Sequence, residues 1–107
     1  METAEIQEVA FKIILESGDA RTLVHAGFKS MRESDFEDAK EKLEQANDSL
    51  TEAHKSQTSL LHNYANGEDV NMDVIMIHAQ DHLMTTMTIR EVALEMLYLY
   101  QKLDEVS

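Results

Sequence analysis

No proline occurs among the 107 residues of this sequence, and glycine occurs only three times. Proline disfavours a helix interior most strongly and glycine is next, so nearly every position is free to be helical. Hydrophobic residues make up 43% of the chain, which is enough for one small packed core. We therefore predict an all-α fold in a single domain that covers residues 1–107.

Apolar residues that recur every three or four positions divide the chain into three long segments. The pattern predicts helices at about residues 3–32, 34–65 and 73–103. The letters "SGDA" at 17–20 interrupt the first segment, and they predict a kink rather than a break because the pattern resumes in phase. The two connections are short, so neighbouring helices should be antiparallel.

Several residues carry the local signals of helix ends. The letters "SDFE" at 34–37 form a capping-box pattern, in which Ser34 would cap the second helix and Glu37 would reach back to it. Gly67 is able to adopt the left-handed conformation that ends a helix. Asp73 is the predicted N-cap of the third helix.

The third predicted helix is apolar on more than one side. A three-helix bundle of this length has a thin core and cannot bury all of these side chains, and long exposed apolar strips mark interfaces. We therefore predict a homo-oligomer built by helix packing about a symmetry axis. The predicted stripe consists of Val74, Ile77, His78, Asp81, Thr85, Thr88, Ile89, Val92, Met96, Leu99 and Leu103, and further apolar residues are Leu83, Met84, Met87, Leu94, Leu97, Tyr98 and Tyr100.

The charge balance excludes one class of partner and favours another. There are 21 acidic and 9 basic residues, with a formal net charge of -12, whereas nucleic-acid binding needs a basic surface. An acidic protein of this kind attracts a basic partner. Cysteine is absent, no apolar run approaches the roughly 18 residues of a membrane span, and the first segment does not resemble a signal peptide. We expect a cytoplasmic protein without membrane insertion.

The stretch "IHAQDHLMTT" at 77–86 places two histidines four residues apart, with an aspartate between them. His78 and His82 share one helix face, as zinc-binding pairs do, but Ala79 stands where zinc proteases carry glutamate. The alternative is that both histidines are ordinary helix residues, one partly packed and one solvated. Asp81 interrupts the apolar stripe, and a carboxylate there needs a lysine, water or a cation. If a symmetry axis passes Asp81, a divalent cation such as Mg²⁺ or Ca²⁺ would neutralise its converging copies.

Three segments together resemble one family. The segments "SGDARTL" at 17–23, "EAHKSQTSLL" at 52–61 and "HAQDHLMTT" at 78–86 closely resemble the enzyme IIA component of the lactose and cellobiose (N,N'-diacetylchitobiose) class of the bacterial sugar phosphotransferase system. The resemblance spans nearly the whole chain, in order. It implies a homotrimer of antiparallel three-helix subunits that pack into a nine-helix bundle, and it implies a carrier of phosphohistidine.

The resemblance also implies roles for individual residues. His78 would accept a phosphoryl group on Nε2 from the phosphocarrier protein HPr and would pass it to a cysteine of the cognate IIB component. Asp81 and its two copies would line the trimer axis and bind one divalent cation, with Mg²⁺ expected. We expect His82 to donate a hydrogen bond to the phosphoryl group, with packing alone as the alternative, and Gln80 is a further candidate for this role.

The residue after the first histidine gives an indication of the sugar. Ala79 in "HAQDH" resembles the cellobiose and chitobiose members more than the lactose members, which tend to have glycine there. A β-linked disaccharide of cellobiose or chitobiose type is therefore expected, with lactose next. Two rival functions stay open: a helical scaffold with a structural metal and no phosphotransfer, and a metal-dependent enzyme with His78 and His82 as ligands.

Overall fold

The computed structural model describes residues 2–107 and contains three long helices, which confirms the predicted all-α fold. Helix α1 spans Thr3–Arg32, α2 spans Phe36–Ala65 and α3 spans Val74–Glu105. The bundle measures 57 × 20 × 18 Å, so the helices lie side by side along its long axis. Among residues 2–107, no helix combines the length and apolar character that crossing a membrane requires.

Helix α1 runs without a break through Gly18, so the segment that interrupts its apolar pattern does not divide it into two helices. A second glycine in α1 marks a close contact between helices. A β-carbon added to Gly27 would lie 3.3 Å from Leu43 Cδ2 and 3.6 Å from the carbonyl oxygen of Ala39. Since Gly27 is near the end of α1 and Ala39 is near the start of α2, this contact shows that the two helices are antiparallel.

The turn between α1 and α2 differs from the predicted capping box. Asp35 is the N-cap of α2, and its carboxylate accepts a hydrogen bond of 3.2 Å from the backbone N–H of Asp38. Ser34 has a φ of 62°, which is the left-handed region, because the chain must reverse direction within a few residues. The prediction that Ser34 and Glu37 form a capping box is therefore wrong, and the helix begins later than expected, at Phe36.

In the connection from α2 to α3, Gly67 and Asp73 have the roles that the sequence predicts for them. Helix α2 ends at Ala65, and Gly67, two positions further on, has a φ of 86°, the conformation that glycine adopts without strain. Asp73 is the N-cap of α3, and its Oδ1 accepts a hydrogen bond of 2.9 Å from the backbone N–H of Met76. This cap fixes where α3 starts and therefore the rotation of its side chains about the helix axis.

The face of α3 that enters the core is not the predicted stripe. Val74 is 80% exposed, Val92 is 48% exposed and Leu99 is 56% exposed, and Asp81 in the same stripe is exposed as well. The prediction is wrong for the subunit because helical periodicity identifies an apolar face without saying which of two such faces packs inward. The predicted exposed apolar strip is confirmed. The residues of α3 that are buried are Met76, Ala79, Leu83, Thr86, Ala93 and Leu97.

Candidate functional site

Two histidine rings of α3 stack on the outside of the bundle. The ring centroids of His78 and His82 are 6.0 Å apart and the ring planes are inclined by 11°. A spacing of four residues places side chains one above the other on a straight helix, so the sequence dictates that both rings lie on one face. His78 is exposed, whereas His82 is partly buried. In one subunit, His78 is therefore accessible from outside the bundle, with His82 as its neighbour on the helix.

Helix α1 packs against the side chain of His82. A β-carbon added to Gly18 would lie 3.8 Å from His82 Nε2, so the missing side chain at Gly18 leaves room for the imidazole. Burial lowers the pKa of His82, and the charges of Arg21 and His78 lower it further, against the opposing effect of the Asp81 carboxylate. Because the ordinary pKa is already near 6.5, His82 is mostly neutral at pH 7.

Gln80 belongs to a different side of α3. Its Oε1 accepts a hydrogen bond from Gln57 Nε2 of α2, and its Nε2 donates a weak one of 3.5 Å to Met76 Sδ. Two residues correspond to about 200° around a helix, so Gln80 points away from His78 of the same chain. Within one subunit, the structure therefore does not bring these two predicted site residues together.

Asp81 lies in the exposed apolar face of α3, between His78 and His82 in sequence. Among residues 2–107, no lysine, arginine or histidine forms an ion pair with it within 4 Å. The interpretation in which a lysine from another helix pairs with Asp81 is therefore not supported within one chain. The described part of the chain also contains no group of three His, Cys, Asp or Glu residues that could hold a metal ion. A metal at Asp81 would need ligands from other copies.

Helix α1 contributes two residues to this site that sequence reasoning did not assign to it. Gly18 and Arg21 both lie in "SGDARTL", one of the three segments that carry the family resemblance. Gly18 lies against His82, and Arg21 is close enough for its charge to lower the pKa of His82. In the sequence, Gly18 indicates only a kink. The contact of Gly18 with His82 depends on the register between α1 and α3, and a single sequence does not contain that information.

The model of the family described as "PTS system, Lactose/Cellobiose specific IIA subunit" matches residues 8–101. The chain belongs to this family. It is thus an enzyme IIA component of the lactose/cellobiose type and a phosphotransferase component of a sugar phosphotransferase system. The resemblance in the segments at 17–23, 52–61 and 78–86 is confirmed.

Similarity to three other proteins agrees with this assignment. The lichenan-specific phosphotransferase enzyme IIA component of Bacillus subtilis is 40% identical over 94% of this chain and 92% of its own length. The crystal structure of PtcA from S. mutans is 56% identical, covers 94% of this chain and 99% of its own, and has a TM-score of 0.93. The IIA(Chitobiose) chain of Escherichia coli, solved in complex with HPr, is 35% identical, covers 97% and 99% of the two chains, and has a TM-score of 0.79.

Proposed function

We propose that His78 is the residue of this enzyme IIA component that carries the phosphoryl group, and that HPr supplies it. The observation that carries the proposal is the exposure of the His78 ring beside a partly buried, mostly neutral His82. The Escherichia coli relative was solved in complex with HPr, which supports the choice of donor. The net charge of -12 favours rapid encounter with a basic face of the donor.

The transfer exchanges one bond between phosphorus and nitrogen for another. The lone pair of Nε2 in neutral His78 attacks the phosphorus of the phosphohistidine on the donor, opposite the bond that breaks. The donor imidazole leaves with the electron pair of the broken bond and takes up a proton, and phosphorylated His78 gives one up. One phosphoryl group and one proton are exchanged in opposite directions, so atoms and charge balance.

The second transfer discharges His78. A cysteine thiolate of the IIB component attacks the same phosphorus, a bond between phosphorus and sulfur forms, and the imidazole leaves and regains its proton. Within the site, the N–H of neutral His82 donates a hydrogen bond to a phosphoryl oxygen in both steps. Gln80 takes part only if a neighbouring subunit presents it, because it faces away from His78 in its own chain.

The subunit works as part of a homotrimer in which the exposed apolar face of α3 packs against two copies. This face extends from Ile77 to Leu103, or about 39 Å along the helix. Ile77 and Leu103 are 57% and 56% exposed, and Met84 between them is 50% exposed. A strip of this length on a lone subunit would be an unusual surface for a stable monomer. Three subunits would make a nine-helix bundle.

Asp81 binds a divalent cation on the axis of this trimer, and Mg²⁺ is the expected ion. The residue fits such a site because each chain supplies one exposed carboxylate on the apolar face, with no ion-pair partner among residues 2–107. Carboxylate oxygens are the ligands that Mg²⁺ prefers. The cation would neutralise the repulsion of the converging carboxylates, so its role is in assembly rather than in phosphoryl transfer.

The sugar is a β-linked disaccharide of the cellobiose or chitobiose type, with lactose as the next candidate, and the transfer takes place in the cytoplasm. Ala79 after the phosphoryl-accepting histidine supports this choice. Relatives named for lichenan and for chitobiose support it as well. Growth on each sugar after deletion of the gene would test the assignment. An unchanged growth rate on both cellobiose and chitobiose would contradict it.

Incubation with phosphoenolpyruvate, the general kinase of the system and HPr tests the phosphocarrier function. The wild-type chain should acquire one phosphoryl group that is labile in acid and stable in base. His78→Gln should abolish the label. The matched variant His25→Gln changes an exposed histidine on a different helix, α1, and should keep the label. Normal labelling of His78→Gln would refute the site. A wild-type chain that takes no label would favour the scaffold function instead.

A further inference from the structure

Within residues 2–107, one basic side chain is partly buried and has no hydrogen-bond or ion-pair partner. Of the nine lysines and arginines, six are exposed, and Arg21, Lys42 and Arg90 are partly buried. Lys42 pairs with Asp38 at 3.3 Å, and Arg90 Nε donates a hydrogen bond of 2.8 Å to the carbonyl oxygen of Leu43. Among residues 2–107, the guanidinium of Arg21 makes no hydrogen bond and no ion pair.

Arg21 lies near His82, one of the two stacked histidines. It follows Gly18 by about one turn of α1, and the β position of Gly18 is 3.8 Å from His82 Nε2. Its side chain borders a surface groove lined by five residues that follow His82 on α3, namely Met84, Thr85, Thr88, Ile89 and Val92. The charge of Arg21 also lowers the pKa of His82, which is a further sign that the guanidinium is near.

A guanidinium in this position is a ready anion site. Arginine stays charged at every relevant pH and carries five N–H donors in a planar fork, which matches the oxygens of a phosphoryl group. His82 is mostly neutral, so it offers a hydrogen bond but little positive charge to the site. In a chain with more than twice as many acidic as basic residues, other nearby cations are scarce.

We propose that Arg21 binds the phosphoryl group carried by His78 and stabilises the charge on its oxygens during transfer. This proposal rests on the proposed function of His78 as the phosphoryl carrier. Charge on the equatorial oxygens develops in the transition state of phosphoryl transfer, and a fixed cation there lowers the barrier. Arg21 is thus a catalytic residue that α1 contributes to a site otherwise formed by α3.

The test compares Arg21→Met with Arg21→Lys in the full-length protein, and Arg32→Met is the control. Arg32 is exposed in the last turn of α1, so its replacement changes the net charge equally but far from His78. Single-turnover transfer from phosphorylated HPr should be slower by about 100-fold in Arg21→Met, and Arg21→Lys should recover part of the loss. The ³¹P chemical shift of phosphohistidine should move in Arg21→Met and stay in place in Arg32→Met.

Two results would overturn the proposal. One is a transfer rate of Arg21→Met within twofold of that of Arg32→Met. The other is a slow Arg21→Met that has also lost its oligomeric state in sedimentation, because Arg21 would then serve an acidic partner in another subunit. Failure of the wild-type chain to take up any label contradicts the role of His78 itself, so this outcome is distinct from a defect confined to Arg21 variants.

Discussion

The hydroxyl of Ser30 in the last turn of α1 donates a hydrogen bond of 2.6 Å to Asp38 Oδ2 in the first turn of α2. This bond, followed by that from Lys42, lowers the pKa of Asp38. A carboxyl group with a lowered pKa in the folded state stabilises the fold above its unfolded pKa, near 3.9, and this stabilisation is lost as the pH falls through the lower value. Acidification should therefore loosen this corner of the bundle.

Ser30→Ala should raise the pKa of Asp38 towards its ordinary value, because the largest cause of the shift is removed. The carboxyl carbon of Asp38, followed by NMR as the pH is lowered, measures this directly. Ser59→Ala, at an exposed position of α2, is the control and should leave the titration unchanged. An Asp38 that titrates identically in Ser30→Ala and the wild type would show that the hydrogen bond is not formed in solution.

Arg90→Met should destabilise the protein by about 1–2 kcal/mol, because the charged donor to the Leu43 carbonyl is lost while the apolar stem is kept. Lys102→Met, in the exposed last turn of α3, removes the same charge without a comparable bond and should change stability little. Urea unfolding at one fixed protein concentration makes the comparison, since association also affects apparent stability. Equal midpoints for the two variants would contradict a stabilising role for Arg90.

Gly18→Ala and Gly27→Ala should differ although both replace a glycine inside α1. Alanine favours a helix over glycine by about 0.8–1 kcal/mol. At Gly18 the added carbon meets His82 Nε2 at 3.8 Å, which is an ordinary contact, so most of this gain should appear. At Gly27 it meets the buried Leu43 side chain at 3.3 Å, so repacking should offset the gain. Urea midpoints should rank Gly18→Ala above Gly27→Ala, and the reverse order would contradict the close packing of Gly27 against Leu43.

Asp81→Leu should abolish the binding of the divalent cation that we propose at Asp81 and should keep the helical bundle, because leucine suits the apolar face on which Asp81 stands. Mass spectrometry of dialysed protein measures the metal content per chain and tests the loss of the cation. Sedimentation equilibrium tests whether the bundle is kept. The wild type should contain one cation for every three chains. Unchanged metal content in Asp81→Leu would refute Asp81 as the ligand.

Leu99→Glu should split the oligomer into subunits, because it places a charge in the apolar face of α3 that we propose to be buried between copies. Leu61→Glu is the matched control: Leu61 is 63% exposed and Leu99 is 56% exposed, but Leu61 lies on α2. Light scattering should show a lower mass for Leu99→Glu alone. Dissociation of both variants, or of neither, would mean that another surface holds the subunits together.

The fold could be predicted from the sequence because it depends on local rules. The absence of proline and the periodic apolar residues indicate three helices, and Gly67 and Asp73 mark the second turn by their own backbone and side-chain chemistry. Ser34 shows where such rules fail. Ser34 and Asp35 are both good capping residues, and the choice between them depends on how α1 and α2 pack, which no short segment specifies.

The site was predictable only in part. The position of His78 and His82 on one helix face follows from their spacing alone, whereas the approach of Gly18 and Arg21 depends on the register between α1 and α3. The prediction for the inward face of α3 is wrong for a related reason. Two faces of this helix are apolar, and the burial of Leu83 rather than Leu99 is decided by contacts with the other two helices.

The sides of helix α3 differ in their surroundings: Leu83 enters the core, His78 is exposed to solvent, Asp81 lies on the apolar surface strip and Gln80 bonds to α2. All of these directions are set by one unbroken helical register. Inserting a single residue after Asp81 would turn everything beyond it by about 100°. Evolution can therefore exchange side chains along α3, but it has almost no freedom to change its length within this segment.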